Sequence, residues 1–124
     1  MKAFIRVMKS LSDPNRVKII KMLAAKELCV CEITAILGLA QSTVSKHLKL
    51  LEDAGLVDSC RDGAWVNYRL SDGKESSYAA TMLHQFEEWL NDDSDILEVL
   101  AQLPNVDRER LNAAEGSLNN NFQG

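Results

Sequence analysis

The sequence predicts a mainly α-helical fold with one small β-hairpin, an α+β class. Three observations support this prediction: apolar residues recur at helical spacing in several segments, a glycine separates two of those segments, and apolar and polar residues alternate beside an Asp-Gly pair. With 124 residues, of which 46% are apolar, the chain suits one compact domain.

The first three helices are predicted from apolar spacing and from their end signals. Apolar residues up to Leu11 indicate a short first helix. A second helix should begin at Pro14, because Ser12 or Asp13 can cap it and proline has its φ pre-set for the first helical position. A third should end at Gly38, whose freedom at positive φ suits a helix C-cap or the turn after it.

Residues 41 to 54 divide into two stripes when they are placed on a helix. The apolar stripe is Val44, Leu48 and Leu51, and the opposite stripe carries hydroxyl and ammonium groups: Ser42, Ser45, Lys46 and Lys49. A short helix, a turn and such a second helix form a helix-turn-helix, whose second helix enters the major groove of double-stranded DNA. The alternative is a solvated amphipathic helix of a small bundle, although such a face usually includes glutamates for helical pairing.

The segment LVDSCRDGAWVNYRL predicts the β-hairpin, with Asp62-Gly63 as its two-residue turn. A hairpin directly after a DNA-reading helix is a wing, so the predicted architecture is a winged helix-turn-helix. Arg61, near the tip, is suited to a backbone phosphate or the minor groove. The alternative is an arginine that is only solvated.

A further helix is predicted from about Ser77 to Leu90. Its apolar face consists of Tyr78, Met82, Leu83, Phe86, Trp89 and Leu90. This face is broader than one small core needs, so with the first helix it predicts the seam of a homodimer, which would place two DNA-reading helices on successive major grooves. Packing inside the monomer is the alternative.

These elements give the expected domain organisation. Residues 1–92 should form the winged helix-turn-helix DNA-binding and dimerisation domain, residues 93–112 a C-terminal helical extension, and residues 113–124 a disordered polar tail.

The formal net charge of −4 is distributed unevenly. Residues 1–71 hold 11 Lys and Arg against 7 Asp and Glu, net +4, whereas residues 72–124 hold 3 against 11, net −8. A basic front half permits a phosphate-facing surface, since contact with DNA depends on local charge; ordinary surface scatter is the alternative.

No apolar run is long enough for a membrane span and the start lacks the features of a secretory signal, which predicts a cytoplasmic protein without a membrane partner.

Cys29 and Cys31 lie one residue apart, just ahead of the third helix. In a reducing cytosol, thiols are favoured over structural disulfides, so the pair is a candidate for metal binding or thiol chemistry. Side chains at i and i+2 share a side only in extended backbone, so a soft ion held by both sulfurs should keep Val30 out of regular helix and pull on the first helical turn. The alternative is a pair of buried thiols that pack as small hydrophobes.

The segments ELCVCEI, LAQSTVSKHLKLLEDAGLV and DGAWVNYRLS together resemble the metal box, recognition helix and wing of the ArsR/SmtB family, and specifically its arsenic-responsive branch. The resemblance runs from about Ala3 to Leu90 and implies a homodimeric repressor that leaves operator DNA when a soft metal or metalloid binds. It implies Cys29 and Cys31 as ligands of As(III) or Sb(III), which acts as inducer and not as a permanently bound cofactor. The implied DNA contacts on the recognition helix are Gln41, Ser42, Thr43, Ser45, Lys46, His47 and Lys49.

The sequence departs from the resemblance at Thr34, where similar arsenic sensors often have a third cysteine one turn after the pair. Cys60 could be recruited instead. With the turn assumed above, however, it faces Trp65 across the hairpin and lies opposite the core-directed face that carries Val66, away from the pair. We therefore expect that Cys60 is not a ligand.

Other metal sensors of the family fit less well. Cadmium and lead sensors add N-terminal cysteines, and none precedes Cys29. Zinc sensors use Asp and His pairs on the last helix, whereas here Asp72 is followed by glycine and lysine and His84 lacks such partners. His84 is expected to be a surface or seam histidine.

These features suggest three function classes. The leading one is a DNA-binding repressor induced by arsenite or antimonite, and the second is the same repressor sensing another soft ion or a thiol redox or persulfide state. The third is a small thiol oxidoreductase. It fits poorly, because the chain offers no base near the cysteine pair, no phosphate-binding glycine loop and no catalytic carboxylate constellation, so we expect no enzyme.

Overall fold

The computed structural model describes residues 1–107, which build a winged helix-turn-helix. The elements are α1 (Lys2–Ser10), α2 (Pro14–Ala25), β1 (Leu28–Cys29), α3 (Val30–Leu37), α4 (Gln41–Asp53), β2 (Val57–Asp62), β3 (Trp65–Leu70), α5 (Ser77–Phe86), α6 (Ser94–Gln102) and a 3-10 turn (Leu103–Asn105). The fold class predicted from the sequence is confirmed. The tail predicted for 113–124 and the last residues of the extension predicted for 93–112 lie outside the described residues.

The ends of the first helices follow the sequence signals. The Asp13 side chain caps α2 by accepting hydrogen bonds from the backbone N–H groups of Asn15 at 2.8 Å and Arg16 at 3.2 Å. Burial acts to raise the pKa of Asp13, but these donors and the Arg16 charge outweigh it and lower the pKa. Gly38 ends α3 in the left-handed region, at a φ of 68°.

The three strands form one antiparallel sheet in the order β1-β3-β2. The predicted hairpin is present, but its turn is Gly63-Ala64 and not Asp62-Gly63, because Asp62 still pairs with Trp65. Gly63 has a φ of 62° and occupies the first central position, where a type II′ turn prefers glycine. The shift of one residue also changes the predicted partner of Cys60 from Trp65 to Asn67.

Helix α5 ends at Phe86, four residues before the predicted end at Leu90. The buried Lys21 ammonium explains the early end. It donates to the carbonyl oxygens of Phe86 at 2.6 Å and Trp89 at 2.9 Å and to the side-chain oxygen of Asn91 at 2.7 Å. Those acceptors converge on one cation only if the chain leaves the helix, and Leu90 accordingly adopts a φ of 64°.

The apolar face predicted for this region divides between core and surface. Phe86 is buried, and Met82 and Leu83 pack partly buried against the core. Tyr78 and Trp89 remain exposed. Helix α6 packs on α2 and adds its own apolar residues to the same core. No helix within residues 1–107 is long and apolar enough to cross a membrane.

Candidate DNA interface and thiol site

Helix α4 packs against the core through the predicted apolar stripe. Val44, Leu48 and Leu51 are all fully buried. Burial of this stripe turns the opposite side of α4 to solvent, where the side chains of the predicted DNA contacts lie exposed: Gln41, Ser42, Thr43, Ser45, Lys46 and Lys49. His47, at the edge of the stripe, is half-buried.

The cations of the exposed face differ in their surroundings. The Lys49 ammonium lies 3.1 Å from the Asp53 carboxylate one turn later, and this hydrogen bond, with the Asp53 charge, raises the pKa of Lys49. Part of its charge is therefore compensated within α4. Lys46 lies on the same exposed face, three residues closer to the start of the helix.

The start of α4 is open to an acceptor. Its N-cap residue is Ala40, which has no side chain to accept from the first N–H groups. Uncapped N–H groups and the positive end of the helix dipole favour an anion such as a DNA phosphate.

The wing continues from α4. Arg61 lies on β2 and is exposed, opposite Val66 and one residue further from the turn than predicted. The Ser59 hydroxyl donates to the Glu52 carboxylate at 2.7 Å, which joins β2 to the end of α4. Burial, followed by the Glu52 charge, raises the pKa of Tyr68, which pairs with Ser59.

The cysteine pair lies where β1 meets α3. Cys29 is the last residue of β1 and the N-cap of α3, and Cys31 is the second residue of that helix. Their sulfurs are joined as a disulfide, with 5.4 Å between the two Cα atoms. The expectation that Val30 must leave regular helix is wrong, because Val30 begins α3. Extended backbone at Cys29 alone, with a φ of −85° and a ψ of 165°, is enough to bring its side chain to the first turn.

Two neighbours hold the backbone of Cys29 in place. Its N–H donates to the buried Glu32 carboxylate at 2.8 Å, as in a capping box. Its pairing partner across the sheet is Asn67 of β3. Glu32 and Asn67 also line a polar cleft of about 560 Å³.

Cys60 is not brought to the pair. Cys29 and Cys60 both face Asn67, from opposite sides of β3, so their backbones lie two strand spacings apart, roughly 10 Å. Two sulfurs that share one ion must lie roughly 4 Å apart, given metal–sulfur bonds near 2.3 Å. Within residues 1–107, no three His, Cys, Asp or Glu side chains form a cluster that could hold a metal ion.

Thr34 follows Cys31 by one helical turn, and its hydroxyl oxygen is buried without a hydrogen-bond partner in the described part of the chain.

The predicted surface histidine, His84, is exposed, and its Nδ1 lies 3.7 Å from the Glu87 carboxylate.

Three residues that position these sites were not identified from the sequence. Glu32 could have been recognised, since a glutamate three residues after an N-cap position is the capping-box signal. Arg16 and Lys21 act through contacts with distant segments, such as the Arg16 contact with His47, and no local pattern marks them.

The chain has clear relatives among known proteins. The family profile described as "Bacterial regulatory protein, arsR family" matches residues 13–59. The "Arsenic resistance transcriptional regulator ArsR1" of Pseudomonas putida is 36% identical over 103 residues, which cover 79% of this chain and 80% of that protein. The chain belongs to the ArsR family. It is thus a bacterial-type transcriptional regulator with a DNA-binding winged helix.

Other known proteins resemble this chain over shorter stretches. The "Cadmium resistance transcriptional regulatory protein CadC" of Listeria innocua is 48% identical over 61 residues, 48% of this chain and 51% of that protein. Among solved structures, the homodimeric winged helix-turn-helix DNA-binding domain of Mb0332 from Mycobacterium bovis is 28% identical, with a TM-score of 0.59, covering 69% of this chain and 76% of that chain.

Proposed function

We propose that this ArsR-family protein is a homodimeric repressor that binds operator DNA and releases it when arsenite or antimonite is captured by Cys29 and Cys31. The observation that carries the proposal is the meeting of the two sulfurs at the first turn of α3, the helix that leads directly into α4. The name of the Pseudomonas putida relative, an arsenic resistance regulator, agrees with this effector.

Binding to DNA is supported by the exposed face and open start of α4. Residues of the first turn, such as Ser42, would meet base edges, while Lys46 and the wing residue Arg61 would meet phosphates. The basic front half of the chain adds long-range attraction.

A homodimer is supported by apolar surface on α1 and α5. Phe4 is 39% exposed and Tyr78 is 45% exposed, and their rings meet edge to face with centroids 5.4 Å apart. Two large aromatic rings shared by adjacent helices would provide the centre of a two-fold seam. The Mycobacterium bovis domain is homodimeric and has the same fold.

The two sulfurs fit bidentate capture of a thiophilic ion in their reduced state. Each thiol loses its proton to a hydroxide that leaves arsenous acid as water, so two As–S bonds replace two As–O bonds without a change of oxidation state. One hydroxide remains on the arsenic, or an external thiol replaces it. The disulfide form has no thiol to offer and must first gain two electrons and two protons.

Two paths connect the captured ion to the DNA-binding elements. The first runs through α3 and the Gly38 turn to α4, because Cys31 lies in the first turn of α3. The second runs through the sheet, because Cys29 pairs with Asn67 on the wing strand β3. A coupling of roughly 1 to 3 kcal/mol along either path would weaken operator affinity about 5- to 150-fold.

A gel shift with operator DNA, titrated with arsenite, tests the proposal on reduced protein. We expect release from the native protein and from Cys60→Ser, and no release from Cys29→Ser or Cys31→Ser. Loss of the response in Cys60→Ser alone would contradict the assigned site, and arsenite without effect on the native complex would contradict the assigned effector.

The DNA half of the proposal is tested separately. Lys46→Ala should weaken operator binding and lower the slope of log affinity against log salt by about 1, because one phosphate contact is lost. Lys26→Ala, which removes an exposed lysine outside α4, is the control. Equal affinities of the Lys46 variant and the native protein would count against the assigned DNA face.

The close approach of the Cys29 and Cys31 sulfurs also fits a second candidate, in which oxidation of the same pair is the signal. Release by peroxide that dithiothreitol reverses would support this candidate. Cadmium, added as a third effector, tests for another soft ion. Both candidates describe a regulator, and we propose no enzymatic activity.

A further inference from the structure

Arg16 connects three helices at one edge of the DNA-binding face. It lies in the first turn of α2, and its Nε donates to the Ser10 carbonyl oxygen at 2.7 Å while Nη2 reaches the Lys9 carbonyl oxygen at 3.3 Å. These bonds fix the guanidinium against the end of α1. The remaining Nη1 lies 3.1 Å from Nδ1 of His47 on α4.

Only one arrangement of protons makes this last contact a hydrogen bond. A guanidinium carries N–H donors and no acceptor, so Nδ1 of His47 must offer its lone pair. The imidazole is then neutral and carries its proton on Nε2, on the other edge of the ring. A protonated His47, or the opposite tautomer, would point an N–H at an N–H.

We propose that Arg16 is a positioning residue for DNA binding, which holds His47 as the Nε2–H tautomer so that this N–H can donate to a backbone phosphate. The inference rests on the proposed DNA binding and deepens it. His47 is half-exposed and lies between the buried stripe and the exposed face of α4. Because Nδ1 contacts Arg16, Nε2 is the ring nitrogen that we assign to the phosphate. Arg16 itself is half-buried, and each of its three guanidinium nitrogens contacts a protein atom.

The tautomer can be measured without DNA. Long-range 1H–15N correlation spectra of the native protein near neutral pH should show that Nε2 of His47 is protonated and Nδ1 is not. In Arg16→Lys, which keeps the positive charge but has no planar fork, the spectrum should shift toward a mixture of tautomers. Protonation of Nδ1 in the native protein would overturn the proposal.

Operator affinity supplies the second readout, as a double-mutant cycle. His47→Ala should weaken binding roughly tenfold, the effect of one lost hydrogen bond to a charged acceptor. Arg16→Lys should weaken binding by a smaller factor, set by the fraction of the Nε2–H tautomer that is lost. The double variant should bind operator DNA as tightly as His47→Ala alone, because Arg16 acts through His47. Leu97→Ala, an exposed position on α6 whose change leaves the charge unaltered, should match the native affinity. Thermal unfolding checks that each variant is folded.

The outcomes distinguish failure of the role assigned to Arg16 from failure of the proposed DNA binding. Losses that add up in the double variant would overturn the role of Arg16, because a purely electrostatic or structural contribution would not depend on His47. A native protein that binds no DNA would overturn the proposed function and this role with it. In that case the tautomer spectrum would still decide whether Arg16 fixes the ring.

Discussion

Cys29 has two structural roles. It ends the strand that pairs with the wing, and it caps the helix that leads into α4. The Cys-x-Cys spacing predicted that the sulfurs could meet, but the condition that Val30 leave regular helix was wrong. The reason is that Val30 can begin a helix while Cys29 stays extended, a combination that a uniform strand or helix does not contain.

Glu32 holds this junction, and its removal should be measurable. Glu32→Ala leaves the buried N–H of Cys29 without its acceptor and should lower the free energy of unfolding by about 1 kcal/mol. Glu32→Gln keeps an acceptor oxygen and should lose clearly less. Urea denaturation of the reduced protein measures both, and equal losses in the two variants would show that the hydrogen bond is not the cause.

The elements were predicted well where their signals are local. The Asp13 cap, the Gly38 turn and the buried stripe of α4 all follow from residues within one or two turns. The end of α5 was misplaced, because it is set by Lys21, which is more than sixty residues away in sequence. The hairpin turn was misplaced by one residue, because Asp62 and Gly63 suit two neighbouring registers and the pairing of β3 decides between them.

Lys21→Met should show how much the end of α5 depends on this ammonium. The variant leaves the carbonyl oxygens of Phe86 and Trp89 without their donor, so we expect a loss of about 2 kcal/mol in the free energy of unfolding. Lys26→Met, at the exposed end of α2, should change it little. A loss of similar size in both variants would contradict the capping role.

Burial lowers the pKa of Lys21, which gives this interaction a pH dependence. Between the lowered pKa and the ordinary lysine pKa, the unfolded chain binds more protons than the folded chain. The free energy of unfolding of the native protein should therefore rise with pH across that alkaline window, relative to that of Lys21→Met. If the free energies of unfolding of the native protein and Lys21→Met changed equally with pH, this would contradict burial of a titrating ammonium.

At the scale of the whole molecule, the sequence predicted a basic front half, an acidic back half and an excess of apolar surface. The structure assigns part of that apolar surface to the core and leaves Phe4 and Tyr78 exposed. The sequence could not make this division, because it depends on how α5 and α6 pack on α2.

Tyr78→Glu tests the predicted dimer seam. A carboxylate placed beside Phe4 would have to lose its hydration in the interface, so sedimentation should show a monomer and operator affinity should fall. Leu97→Glu puts the same charge at another exposed apolar position, on α6, and should remain a dimer. A dimer of unchanged stability in Tyr78→Glu would place the seam elsewhere.

The most direct test of the account is the affinity of the reduced protein for arsenite, measured by titration calorimetry with and without saturating operator DNA. Linkage requires that an effector which weakens operator binding is itself bound more weakly by the DNA complex, by the same factor. We predict arsenite affinity about 5- to 150-fold lower on the operator, with the difference abolished in Cys29→Ser. The same arsenite affinity in both states would contradict the claim that the thiol pair and the operator compete for one conformation.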